Sequence, residues 1–479
     1  MERHGVFTQE VPLSVLSPAP PQATVPVVFG TAPINLAKQP AVNTPVLCNS
    51  FSEAVEVLGY SNDWTSFSLC EFMDSHYKLY NQSPVVFVNV MDPSKHKATV
   101  APASVPVTAG VATIKVEGVL AASVQVKSSD GTTPYQLGKD YTTAFNDVGH
   151  LVVTAKAGGA ILPTVTSLQI GYDKLDPTVI KSTDIVGGVD SVTGKVTGLE
   201  LLNQVFPRYR VLPGLVLAPG YSHDSVVAAV MAAKAGSING HFKAQVLVDL
   251  PADKKYTDLP QWKNDNRITS DRQIAAFPKV KFGGKKYHLS THLAGVICKL
   301  DAENGGVPYM SPSNKAIQAN AAVLENGDEL LLGPDQAQFI NSHGISTVLN
   351  FIGGFKAWGN RTAAFPDDTS PVAAFIAVRR MFDYISNTVI ITYWKYVDNP
   401  ANKRLVEAVT DSLNIWLNGL QANQFILGGR VEFLKEENPA SDLMNGKLKF
   451  HIFVTPPTPA QEMRFLIEYD PQYLSAIGG

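Results

Sequence analysis

Residues 210–250, RVLPGLVLAPGYSHDSVVAAVMAAKAGSINGHFKAQVLVDL, decide the fold class of this 479-residue chain. The apolar runs at 210–218 and 242–250 have the composition of buried strands, and the alanine-rich stretch 224–235 between them is typical of a helix. A strand, a helix and a second strand form a βαβ unit, the building block of a parallel sheet. The sequence therefore predicts a doubly wound α/β domain around this unit.

Flanking segments extend this pattern in both directions along the chain. Apolar runs predict further strands at 25–29, 84–91, 275–282, 330–332 and 346–351. Helical spacing, with Ser50 as a cap for the first, predicts helices at 51–58, 65–80, 291–303 and 334–341. Because these elements lie on both sides of a stretch of different composition, we expect the α/β domain to be split.

The interrupting stretch is rich in Val, Thr, Ala, Gly and Ser between about Lys95 and Lys181. Alternation at 113–117 and turn signals at Asp130-Gly131 and Gly158-Gly159 predict a small all-β sandwich or barrel. The predicted organisation has five parts: an extended N-terminal arm (1–24), the first part of the α/β domain (25–95), a β-rich insertion (96–185), the second α/β part (186–352) and a C-terminal α+β domain (353–479).

The two chain ends have contrasting patterns. Pro12, Pro18, Pro20 and Pro21 make a packed helix improbable in the first 24 residues, so an extended arm is expected. The C-terminal region predicts helices at 371–387 and from Pro400 onward, the second with its apolar stripe on Leu405, Val409, Leu413, Trp416 and Leu420. Alternation at 448–454 and 463–469 predicts two amphipathic strands near the end. The fold class is therefore multidomain α/β and α+β.

Composition excludes several classes of function. Charged residues make up 17% of the chain and the net charge is −3, so no strong field attracts nucleic acid. Cys48, Cys70 and Cys298 are widely spaced and odd in number, which indicates neither a disulfide framework nor a cysteine metal site. No apolar signal segment or run of 18 apolar residues occurs, so we expect no secretion and no membrane insertion.

Two segments resemble parts of hydrolytic sites. Ser222, His223 and Asp224 are the residue types of a catalytic triad, but consecutive side chains entering a helix cannot align as nucleophile, base and orienter. Ser222 or Asp224 is instead expected to cap the helix. His343-Gly344 resembles the histidine segment of subtilisin-type proteases, but the matching serine segment is missing downstream. The sequence therefore predicts no catalytic residues.

Metal and cofactor sites are also unsupported. His288 and His292 are four residues apart, but the glutamate of a zinc HExxH motif is absent and no third ligand is indicated, so we expect a surface or hydrogen-bonded pair. The Gly-Gly pairs include neither a P-loop nor a dinucleotide-binding fingerprint. We predict no metal and no cofactor.

A series of motifs resembles the contractile phage tail sheath family. The motifs follow in order and approximate spacing along the chain: 197–202 (TGLELL), 217–223 (LAPGYSH), 311–315 (SPSNK), 350–354 (NFIGG), 358–362 (WGNRT), 378–384 (VRRMFDY) and 415–420 (IWLNGL). The resemblance runs from the N-terminal arm to the final strands. It implies a subtilisin-like α/β domain, in fold alone and without catalysis.

The resemblance also implies partners and a mechanical role. Such subunits pack as stacked six-fold rings in a helical sheath around a tail tube protein, between baseplate and tail terminator proteins, and contract to drive the tube through a target envelope. Arms from both chain ends add strands to a neighbour's C-terminal sheet. We expect these links at Val6, Phe7 and Thr8 and at Phe465, Ile467 and Tyr469. The expected location is the tail of a virion or phage-tail-like particle, assembled in the bacterial host cytoplasm.

Two other functions are compatible with parts of the sequence. A serine hydrolase on an α/β scaffold would need a serine on a strained elbow and a remote histidine. A receptor-binding particle protein would use the β insertion. The sequence does not distinguish an infectious phage from a headless, bacteriocin-like particle.

Overall fold

The computed structural model describes residues 24–477, and the first described part is a βα segment. This segment ends where the chain leaves the α/β domain for the insertion. Its elements are β1 (Val25–Gly30), β2 (Val46–Cys48), α1 (Phe51–Leu58), α2 (Ser68–Met73), a π-helical turn (Asp74–Leu79) and β3 (Val85–Asn89). Ser50 caps α1 as predicted, because its side chain accepts a hydrogen bond from the Glu53 amide at 3.2 Å.

The insertion that follows is an antiparallel seven-stranded sheet with its own core. Its strands pair in the order β7-β6-β10-β4-β5-β9-β8. Buried side chains of this region, among them Ile114, Leu151 and Ile170, form one cluster. The strands are β4 (Lys97–Thr108), β5 (Val111–Ile114), β6 (Gln125–Lys127), β7 (Pro134–Tyr135), β8 (Tyr141–Phe145), β9 (Leu151–Ala155) and β10 (Ser167–Leu175).

The chain then returns to the α/β domain. The helices of this part are α3 (Ser182–Val186), α4 (Val205–Tyr209), α5 (Ser225–Gly236), α6 (Leu259–Asp265), α7 (Leu289–Glu303) and α8 (Pro334–Asn341). The strands are β11 (Gly188–Val189), β12 (Val196–Thr197), β13 (Pro213–Leu217), β14 (Gln245–Asp249), β15 (Gln273–Ala276), β16 (Lys279–Phe282), β17 (Lys285–Tyr287), β18 (Lys315–Ala316), β19 (Ala321–Val323), β20 (Ile345–Asn350) and β21 (Phe355–Trp358).

A nine-stranded sheet is the centre of this domain. Its order is β18-β21-β20-β15-β14-β13-β1-β3-β2, and the six strands from β20 to β3 run parallel. Helices α5, α6 and α8 contribute to the core on one face, and α1, α2 and α7 to the core on the other. The expected mixed α/β fold is therefore confirmed. The strand order reverses between β1 and β13, so the carboxyl ends of these two strands border the crevice where open α/β sheets usually bind ligands.

The C-terminal region packs two long helices against a hairpin. Its elements are α9 (Pro371–Ala374), α10 (Ile376–Tyr393), α11 (Lys403–Ala422), β22 (Gly428–Glu432), α12 (Ala440–Met444) and β23 (His451–Thr455). Three residues of the predicted stripe on α11, Val409, Leu413 and Leu420, are buried in the core of this region, and Leu405 and Trp416 pack against it. None of the helices in residues 24–477 is long and apolar enough to cross a membrane.

Several predicted elements differ from the observed ones for local reasons. The helix at 65–80 is instead α2 followed by the π-helical turn, and the strand at 275–282 divides into β15 and β16 at Pro278, which has no amide hydrogen for a ladder. Residues 330–332 form no strand, because the contact with β19 ends at a single bridge between Glu329 and Val323 and at the bond from the Leu330 amide to the Ala322 carbonyl, at 2.8 Å.

The C-terminal predictions also need correction. The helix at 371–387 is interrupted by the extended residue Phe375 and runs on to Tyr393. The next helix begins at Lys403 rather than Pro400, because the Asn402 side chain caps it by accepting from the Leu405 amide at 2.9 Å. Of the two predicted C-terminal strands, only β23 forms; residues 463–469 pair with no strand within the described part of the chain.

Candidate inter-subunit surfaces

The serine, histidine and aspartate at 222–224 serve three separate purposes. Asp224 caps α5, since its carboxylate accepts from the amides of Val226 and Val227 at 2.8 and 3.2 Å. Ser222 is 1% exposed, and its hydroxyl accepts from the Asp249 amide at 3.0 Å. His223 lies at the surface. The three side chains therefore do not form a triad. His343 is distant from them in the fold and bonds the Phe339 carbonyl at the end of α8, at 2.8 Å.

His292 is buried and His288 is partly buried, and each is hydrogen-bonded within the protein rather than paired with the other as a metal ligand. His288 bonds Glu71 through Nδ1 at 2.8 Å, while His292 bonds the Tyr80 hydroxyl at 2.9 Å. Burial opposes the charge on Glu71, but the charge and hydrogen bonds of His288 hold the pKa of that carboxyl below its usual value. Burial lowers the pKa of His292 to about 3. Within residues 24–477, no group of three or more potential ligands is arranged to hold a metal ion.

A polar cleft of about 940 Å³ lies at the carboxyl ends of the parallel strands. Its lining includes Glu71, His288 and Asp249, together with ion pairs such as Lys279–Glu325 at 2.7 Å. Asp249 receives the Ser290 amide at 2.9 Å and the Ser290 hydroxyl at 2.5 Å. The buried carboxylates Glu71 and Asp249 of the cleft are therefore already engaged by protein groups.

The C-terminal hairpin presents an unpaired strand edge. β22 and β23 form a two-stranded sheet with Gly428 opposite Thr455 and Glu432 opposite His451. The Asn414 side chain on α11 bonds both backbone groups of Val431, at 2.9 and 3.1 Å, so α11 covers β22 there. In the described chain no third strand pairs with β23. An uncovered edge of this kind is a template for another strand.

The described chain after the hairpin forms no ladder and mixes exposed apolar side chains with charged ones. Arg361 fixes its start by donating from Nη2 to the Gln461 side chain at 2.8 Å. Beyond this point Phe465, Ile467 and Tyr469 are 81%, 96% and 74% exposed. These exposed apolar side chains have no ladder partner in the described chain, and exposed apolar patches are common at sites of protein–protein contact. The other three predicted linkage residues, Val6, Phe7 and Thr8, lie outside the described residues.

A polar cluster joins the helices of the C-terminal region to the α/β sheet. Asp383 on α10 accepts a hydrogen bond from the Gln245 side chain at 2.8 Å. Nη1 of Arg272 contacts both carboxylate oxygens of Asp383, at 2.5 and 2.6 Å. Asn387 bonds the backbone of Lys243 twice, at 3.0 and 2.8 Å. Because the bonded residues stand at or just before the start of β14 and β15, α10 crosses the amino ends of the parallel strands. We call this cluster, with Arg380 and Asp301, the polar latch.

Sequence reasoning predicted β23 but missed its partner strand β22 and the polar latch. The β22 strand begins with Gly428-Gly429, and a short alternation at 430–434 (RVEFL) could have indicated it. The latch residues come from α7, α10 and the strand starts, and no local pattern connects them. Only the three-dimensional arrangement of the strands brings them together.

Comparisons with known proteins show that the chain is similar to tail sheath proteins. No family model matches it. It is 28% identical over 99% of its length to the tail sheath protein of Burkholderia phage BcepMu, covering 98% of that protein. It is 26% identical over 65% of its length to a putative prophage major tail sheath protein of Pseudomonas aeruginosa strain UCBPP-PA14, covering 78% of it.

A solved structure supports the same relationship at the level of fold. The contracted helical sheath of the anti-feeding prophage matches with a TM-score of 0.58 and 14% identity, covering 98% of this chain and 100% of the other. The two curated relatives are thus tail sheath proteins, one of them putative, and the structural neighbour is a helical sheath in its contracted state. The family resemblance drawn from the sequence motifs is confirmed.

Proposed function

We propose that this chain, whose relatives are contractile tail sheath proteins, is the subunit that polymerises as stacked six-fold rings around a tail tube. Contraction of this sheath would drive the tube through a target envelope. The similarity spans 99% of the chain, so it includes the terminal segments as well as the α/β domain. The role is structural, and the residues of the suspected hydrolytic segment are engaged in capping and backbone contacts.

The observation that carries this proposal is that one chain has both an exposed C-terminal tail and an open strand edge on β23. We call the β22–β23 pair the acceptor hairpin. A donated strand would bond the backbone groups along β23 and bury alternate side chains. Each added ladder bond contributes about 1 kcal/mol net, but several bonds act together at each link. Such links tether neighbouring subunits while their rigid surfaces rearrange.

Three further features of the proposal follow from the family. The N-terminal arm, through Val6, Phe7 and Thr8, and the C-terminal tail, through Phe465, Ile467 and Tyr469, supply the donated strands. The partners are further copies of this chain, the tail tube protein, and the baseplate and tail terminator proteins. Assembly takes place in the host cytoplasm, and the product is the tail of a virion or phage-tail-like particle, with the α/β domain keeping a subtilisin-like arrangement without its chemistry.

Substitutions in the tail test the strand linkage. We expect the double variant Phe465→Ser/Ile467→Ser to fold as the parent does and to lose polymerisation, because both side chains are exposed in the monomer but would be buried in a strand link. Electron microscopy measures tube formation and thermal melting measures folding.

Leu466→Ser is the matched control. Leu466 is 96% exposed and points to the opposite face of an extended strand, so it should affect assembly much less. Equal tube yields from the double variant and the parent would contradict the proposed tail linkage.

A further inference from the structure

The first described residue, Thr24, sits in a hydrogen-bonded socket at the amino end of β1. Its hydroxyl accepts from Arg380 Nη2 at 2.9 Å and donates to a carboxylate oxygen of Asp301. Its carbonyl accepts from the Cys298 thiol at 3.4 Å. Both hydrogen-bonding capacities of the hydroxyl are therefore used, and both partners belong to elements remote in sequence, α7 and α10.

The socket is shaped for this side chain. Asp301 and Arg380 are 2% and 5% exposed, and they pair through both guanidinium nitrogens. A Cβ on Gly214 would lie 2.5 Å from the Thr24 methyl group, so glycine at 214 makes the space that threonine occupies. Removing one partner of a buried ion pair leaves an uncompensated charge, so the pair keeps its geometry. The arrangement is therefore suited to holding Thr24 in one place.

The socket connects the root of the N-terminal arm to the domain that carries the acceptor hairpin. Arg380 lies in α10, which shares a buried core with α11. The side chain of Asn414 in α11 in turn bonds both backbone groups of Val431 in β22. A short series of buried contacts thus runs from the point where the arm leaves the body to the hairpin that receives a strand.

We propose that Thr24 is a positioning residue that fixes the direction in which the N-terminal arm leaves the subunit relative to the acceptor hairpin. This inference rests on the proposed function, because it assigns the arm a partner on another copy. A flexible donor strand with a fixed root reaches its target at a higher effective concentration than one that pivots freely. Holding the root reduces the ordering entropy lost at each link.

Spin labels on the monomer test the positioning directly. Gln22→Cys places one label on the arm and Ala408→Cys places the other on the exposed side of α11, while the three native cysteines are buried. Pulsed dipolar spectroscopy then gives the distribution of distances between arm root and helix. We expect a narrow distribution for the parent and at least a doubling of its width for Thr24→Val, which keeps the shape but removes the hydroxyl.

Thr24→Ser is the matched control, since it keeps the hydroxyl and should keep the narrow distribution. We also expect the critical concentration for polymerisation to rise about fivefold in Thr24→Val and little in Thr24→Ser.

A broad distribution in the parent, or equal widths in folded Val and Ser variants, would overturn the inference. If Thr24→Val does not fold, the width of the distance distribution is compared between the parent and Thr24→Ala, which also lacks the hydroxyl. Failure of the parent to form tubes would count against the proposed function, whereas the monomer distances would still decide the role of Thr24.

Discussion

Residues with catalytic or metal-binding chemistry are used here for local structure. Glu71, Asp249 and Asp224 each accept backbone amide hydrogens near the start of a helix, a position that favours negative charge. Ser222 and Ser290 both contact Asp249, at 3.4 and 2.5 Å. These residue types occur in catalytic sites, but here their hydrogen bonds are those of helix capping.

Ser222→Ala tests the assignment of this serine. The substitution removes a hydroxyl that accepts from the Asp249 amide, so we expect a loss of about 1 kcal/mol in unfolding free energy and unchanged assembly and contraction. Urea unfolding and electron microscopy measure the two effects. Covalent labelling of Ser222 in the parent by a fluorophosphonate would contradict the structural role.

His76 and His292 make stability depend on pH. Burial lowers the pKa of each to about 3 from 6.5, so below pH 6.5 the unfolded chain binds protons that the folded chain does not. Stability is therefore lost as pH falls from 6.5 toward 3, by about 2 kcal/mol for each histidine at pH 5. His288 acts in the opposite direction, because Glu71 raises its pKa against the effect of burial.

The variant His76→Phe isolates one of these contributions. His76 stacks on Phe72 with 4.8 Å between ring centroids, and neither ring nitrogen has a hydrogen-bond partner among the described residues. A phenyl ring should preserve the stack on Phe72 and remove the imidazole group that binds a proton in the unfolded chain. We expect urea unfolding to show a smaller stability difference between pH 7 and pH 5 in the variant than in the parent; an unchanged difference would refute the assignment.

Elements with complete local signals were predicted well, and elements that depend on partners were not. Helix α1 was predicted with its observed bounds because a cap, a glycine after its end and helical spacing all agree. The divided strand around Pro278 follows from the missing amide hydrogen of proline, and the helix start at Lys403 follows from the choice between neighbouring caps. The sequence identified 463–469 as strand-like, but the ladder partner that a strand requires is not in the described chain.

The insertion is the element group whose independence is most easily tested. Its buried cluster consists of side chains between Ala112 and Ile170, and all its strands pair with one another. We expect an isolated fragment of residues 96–185 to give dispersed amide resonances in NMR. Ile170→Asp places a charge in that core and should abolish the dispersion. A random-coil spectrum from the parent fragment would show that the insertion needs the α/β domain to fold.

The whole molecule combines a firmly joined body with an exposed C-terminal segment. The polar latch fixes α10 across the strand starts through directional bonds, and the insertion contacts the α/β domain through bonds such as Ser61 to Glu117, at 2.5 Å. The low net charge of −3 leaves little long-range repulsion between copies. These properties suit a subunit that meets many neighbours and keeps its links through its ends.

Deletion of residues 1–20 tests the central claim that the chain ends hold the lattice together. The deletion leaves Thr24 and the buried strand β1 in place, so circular dichroism and thermal melting should show a folded, soluble monomer. Electron microscopy of the truncated and full-length proteins, prepared in parallel, then measures polymerisation. The account predicts that only the full-length protein forms sheath tubes; long, regular tubes of the truncated protein that still contract would contradict it and assign the lattice to contacts between domain faces.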